Sequence, residues 1–280
     1  MPGQRMSIVL FMSCLLAACG PRQPAPDAAT SAQAIVIPPE VTTRVDDVAG
    51  DPVAGLRVAT RVGCNGCHGE DAGGEVFHED EENGRIVAPN LTQRRNLYDD
   101  AGLAALLHEG RTHDGHVPWG MPIMMFQHLS DQEVRDITAW LRALPAVENP
   151  NLPDGKWSDA LAKATADGTH PWLVDMRPSP GNQPPTTTPT EPLALGKHLA
   201  MTSCSECHGA DLNGWPGDDA PSLIVAKAYS GENFARLMKT GITANGKESK
   251  TGMMSGVARW RFSRLSDNEV RALKLYLDAR

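Results

Sequence analysis

Apolar residues recur at the i, i+3, i+4, i+7 period in two places: Val134, Ile137, Trp140, Leu141 and Leu144, and again Val270, Leu273, Tyr276 and Leu277. That period lines one face of a helix. Both series follow the same signal, Leu129-Ser130-Asp131-Gln132-Glu133 and Leu265-Ser266-Asp267-Asn268-Glu269. A serine with a glutamate three residues on is a capping box, in which each residue satisfies a backbone N–H near the helix start. Trp140 and Tyr276 are expected to face inward against an earlier helix. Such helices are expected over 53–62 and 193–201, and middle helices over 99–108 and 231–239. Gly55 and Gly196 hold matching places in the first pair, where a bare Cα lets another helix come close.

The chain therefore reads as one unit written twice, over 48–148 and 192–280. Ten of its 22 prolines fall between Pro145 and Pro192. The intervening 149–191 reads as a Pro-rich linker, extended and semi-rigid over 178–192.

Four of the six cysteines fall in a repeated pentapeptide, Cys64-Asn65-Gly66-Cys67-His68 and Cys204-Ser205-Glu206-Cys207-His208. C-x-x-C-H is the attachment signature of c-type haem: two thiols on one helical turn reach two vinyl groups, and the adjacent histidine lies under the iron. At this composition, chance would supply about 0.004 such matches. A dithiol redox pair would need a βαβ setting. A four-cysteine zinc site would have to span the 136 residues between Cys67 and Cys204, far beyond finger spacing. Two covalently bound haem c groups are expected, with His68 and His208 as axial iron ligands.

Residues 1–18 carry one basic residue, Arg5, and an apolar run from Ile8 to Leu16, which is a signal-peptide pattern. Leu16-Ala17-Ala18-Cys19 resembles the bacterial lipobox. The resemblance implies lipidation of Cys19, export to the periplasm and, with Gly20 following, the outer membrane over the inner. More than one acyl chain gives stable anchoring. Residues 19–47 then read as a flexible tether. The formal net charge of −8 argues against a general nucleic-acid binder.

In layout, each block resembles a class I cytochrome c domain, and the pair resembles the periplasmic di-haem cytochromes c that serve dehydrogenases. The resemblance implies a mainly α fold. It also implies a methionine as sixth iron ligand, in a loop before the last helix. The matching residues are Met121 in Trp119-Gly120-Met121-Pro122, with Met124 and Met125 as rivals, and Met254, with Met253 as the alternative. A proline carbonyl that receives the proximal histidine's free N–H is implied as well, at Pro89 and Pro221. His108, His113, His116 and His128 flank the first methionine loop as alternative ligands. Trp119 and Trp260 are candidates to pack near haem edges, and Arg94 or Arg95 to meet propionates.

Two functions follow. Six-coordinate irons fit an electron carrier in the periplasm, without catalytic residues. It would pass charge from a dehydrogenase or quinol-oxidising complex to an oxidase or soluble cytochrome. An open iron would instead fit a di-haem enzyme, a peroxidase or a small-substrate oxidoreductase such as a thiosulfate dehydrogenase. The insertion 75–82, with His78 and several carboxylates, is its candidate acid–base source.

Overall fold

The computed structural model describes residues 49–116, 118–170, 176–215 and 219–280. Residues 1–48 lie outside it, and with them Cys14, Cys19 and the tether. Two helical domains follow one another in the described chain. In the first, α1 (Pro52–Val62) is capped by the Asp51 carboxylate and stopped by Gly63, whose φ of 90° is left-handed. It leads into a single turn, α2 (Cys64–Cys67). Next come β1 (Glu75–Asp80), β2 (Gly84–Ala88), α3 (Leu91–Arg94), α4 (Asp100–Glu109), the turn α5 (Ile123–Phe126) and α6 (Asp131–Ala143). The second domain has α8 (Pro192–Ser203), the turn α9 (Ser205–His208), α10 (Gly231–Thr240), α11 (Met253–Trp260) and α12 (Asp267–Ala279).

In both domains the first helix packs on the last, and one contact explains how closely. A Cβ added to Gly55 would lie 1.9 Å from the Asp136 carbonyl oxygen, and one on Gly196 would lie 2.0 Å from that of Ala272. Only glycine admits backbone at that distance. Trp140 and Tyr276 flank the two crossings. Both capping boxes are formed, Ser130 with Glu133 and Ser266 with Glu269. Around the crossings lie two separate apolar cores. Val58, Leu103, Leu107, Leu129, Ile137 and Trp140 contribute to the first, and Leu199, Leu212, Phe234, Leu265 and Leu273 to the second.

Two features depart from the sequence expectations. The insertion is a hairpin, β1 antiparallel to β2, and it gains a third strand, β3 (Lys156–Trp157), from the linker. The linker also carries a helix, α7 (Asp159–Ala166), begun by the Ser158 side chain. Its proline-dense part lies along the first domain, not as a free spacer. The Asp131 and Gln132 N–H groups donate to the Pro185 and Thr186 carbonyls, and the Ser179 N–H donates to Gln127 Oε1. Prolines set this strip's stiffness, but its route is set by the carbonyls and side chains that receive it.

Candidate haem sites

Each C-x-x-C-H sits on a helical turn closed by the histidine N–H donating to the first cysteine's carbonyl, 3.0 Å for His68 to Cys64 and 2.9 Å for His208 to Cys204. This closure puts both thiols on one edge. The chain then turns back in the same way twice. Ala72 and Leu212, four residues past each histidine, are non-glycine residues at positive φ, 59° and 62°. Their carbonyls accept from Leu91 and Leu223. That bond lays each proline segment beside its histidine. His68 Nδ1–H donates to the Pro89 carbonyl at 2.9 Å, and His208 Nδ1–H to the Pro221 carbonyl at 2.7 Å.

A carbonyl can only accept, so Nδ1 carries the proton and Nε2 keeps a lone pair for a metal. Burial lowers the basicity of His68, and the Pro89 bond opposes this in part; the net direction favours the neutral, metal-binding ring. Burial also pushes the Cys64 and Cys204 thiols up to about 12. Both sulfurs pack against the apolar cores of their domains. The donor set on each turn is thus a pair of thiols and one imidazole nitrogen beside an apolar core, which fits a covalently attached haem.

The family model for cytochrome c matches residues 53–145 and 193–279. The chain belongs to the cytochrome c family. It is also similar to a protein described as "Diheme cytochrome c-type" from Cereibacter sphaeroides, 26% identical over 271 residues that cover 81% of this chain and 85% of the relative. The protein is a di-haem cytochrome c of two tandem domains, with two covalently bound haem c groups.

In the cytochrome's first domain, Met121 is partly buried against the core, directly before α5, while Met124 and Met125 are buried within that core. In the second, Met254 packs partly against the core and Met253 is 67% exposed. Three of the four flanking histidines are engaged elsewhere. His108 Nε2–H donates to the Leu129 carbonyl, His113 stacks edge-on to Tyr98, and His116 pairs with Asp114. The Arg95 guanidinium caps the end of α6 through the Leu141 and Leu144 carbonyls. Trp119 stacks near Trp157 and His170, whereas Trp260 lies over Gly66 of the first haem turn.

Sequence reasoning did not single out the groups that join the domains. Arg61, 3% exposed, donates to Glu133 Oε1 at 2.5 Å and to the Thr202 hydroxyl at 2.6 Å. His198 meets Glu133 Oε2 at 2.8 Å, and Arg57 pairs with Glu269. Turn α5 packs against α8 and α9, and Trp215 of the second domain packs on the first core. Charged side chains on first helices that otherwise pack on their own domains were the available signal.

Proposed function

We propose that this di-haem cytochrome is an electron carrier of the periplasm, in which Met121 and Met254 complete the coordination of two irons whose other axial ligands are His68 and His208. The observation that carries this reading is the pairing, in each domain, of a histidine with Nε2 left for iron and a partly buried methionine before the final helix. Thioether ligation stabilises ferrous iron and raises the potential. Iron with both axial positions filled relays an electron without offering a substrate site.

Cys19 would hold the protein to the membrane through its lipid, on the outer membrane over the inner. The donor would be a dehydrogenase or quinol-oxidising complex, and the acceptor an oxidase or a soluble cytochrome. Hairpin β1–β2 supports a partner with a basic face. It carries Glu75, Glu79, Asp80, Glu81 and Glu82 against Arg85, every residue of β1 is exposed, and the charge of Glu75 reaches Cys67 of the first haem turn. An acidic surface beside a haem steers a cationic partner toward it.

The test is a potentiometric titration of the haem-loaded protein, followed by assays with peroxide and with thiosulfate. Two reversible one-electron steps and no turnover without a partner support the carrier. Turnover at enzymatic rates would contradict it.

A further inference from the structure

When the domains are superposed on Gly55 and Gly196, Arg57 falls on His198, Glu133 on Glu269, and Arg61 on Thr202. The interface contacts obey this exchange. Arg57 meets Glu269 where His198 meets Glu133, and Arg61 meets Thr202, its own counterpart. This is the pattern of an isologous contact about an approximate two-fold axis. A symmetric contact would give the two haems equal surroundings.

The symmetry is broken by charge. Glu206, between the cysteines of the second motif, stands where the first motif has Gly66, and Arg261 stands where the first domain has the buried Met125. Arg261 Nη1 donates to Glu206 Oε2 at 2.6 Å, with the two side chains 11% and 24% exposed. The same guanidinium reaches across to the first haem turn. A Cβ on Gly63 would lie 2.3 Å from its Nη2, and one on Gly66 would lie 2.8 Å from the neighbouring Trp260 ring. Its Nε is buried and meets no acceptor among the described residues, so Glu206 does not exhaust the group.

We propose that Arg261 and Glu206 are positioning residues that bridge the two haem turns and tune the potential of the first haem in opposite senses, Arg261 raising it and Glu206 lowering it. The proposal rests on the carrier reading. Ferric haem holds one more positive charge than ferrous, so a nearby guanidinium disfavours the ferric form and a carboxylate favours it. Partial burial keeps both effects from being screened away.

The test is a redox titration of the full haem-loaded protein, with the two haems told apart by paramagnetic NMR. At a fixed poise, Arg261→Gln should lower the ferrous-to-ferric ratio of the first haem on the order of tenfold, about 59 mV for one electron. Glu206→Gln should raise it. The double variant should return toward the parent value, and Arg261→Lys, which keeps the charge but not the fork, should retain most of it. Unchanged ratios, or shifts of the same sign for both single variants, would overturn the proposal, because loss of packing carries no sign of charge. Should Arg261→Gln fail to load haem, Glu206→Gln and Arg261→Lys decide between the same outcomes. Parent protein whose haems do not titrate reversibly would instead overturn the carrier reading.

Discussion

His198, on the first helix of the second domain, meets Glu133 of the first at 2.8 Å between Nε2 and Oε2. Glu133 is also the third residue of helix α6 and closes its capping box with Ser130. One carboxylate therefore starts a helix, pairs with Arg61 and joins the domains. Interfaces between domains of one chain are commonly open to relative motion, but this buried three-way contact of Glu133 with Arg61 and His198 ties the two domains together.

Burial alone would raise the Glu133 carboxyl, but the Arg61 charge and the His198 hydrogen bond overcome it and bring it to about 2. A carboxylate depressed on folding adds stability that is full above its ordinary value and is lost as pH falls from there toward about 2. Glu133→Gln keeps the cap but leaves Arg61 buried without its anion, at a cost of about 3–5 kcal/mol near pH 7. Urea unfolding of the haem-loaded protein from pH 7 to pH 3 should show the gap between parent and variant narrowing as the acid is approached. A constant gap would count against the charge account.

Gly55→Ala and Gly196→Ala each place a methyl about 2 Å from a backbone carbonyl, so the first and last helices of that domain must separate. Overpacking of this kind costs typically 1–3 kcal/mol. Each variant should lower thermal stability and haem retention in its own domain. Gly256→Ala, whose Cβ would meet nothing within 4 Å, is the control and should be near neutral.

The two methionines that open helix α11 differ sharply in exposure. Met254→Ala should open one iron, giving a high-spin, CO-binding haem, and Met121→Ala should do the same to the other. Met253→Ala should change neither the visible spectrum nor CO binding, since its side chain is directed to solvent. CO difference spectra of the three reduced variants check this directly.

Gln127 holds the linker on the first domain: Oε1 accepts from the Ser179 N–H, Nε2 donates to the Met124 carbonyl, and its own carbonyl accepts from Asn182. Gln127→Ala should release that strip and speed proteolysis within 178–192 by several-fold. Haem content should be unaffected.

Local chemistry was the legible part of the sequence. The capping boxes, the glycines at the helix crossings and the C-x-x-C-H turns each need only a few neighbouring residues, so their spacing carries them into the fold. The hairpin was missed because β1 is exposed at every position and shows no period-two alternation. The linker's route was missed because proline content reports stiffness and says nothing of what receives it. Arg95 is a propionate candidate by sequence, yet its guanidinium closes the end of α6, since a charged side chain in isolation does not show which carbonyls surround it. The same holds for Arg261, whose neighbours Gly63 and Glu206 lie far from it in sequence.

The proposed carrier has both irons six-coordinate and passes electrons without binding substrate at either. Its most direct test is a CO difference spectrum of the dithionite-reduced, haem-loaded protein, with haem content fixed by pyridine haemochrome. Two haems per chain and no CO binding are the expected result. Rapid CO binding at either haem would contradict it and point to an enzyme.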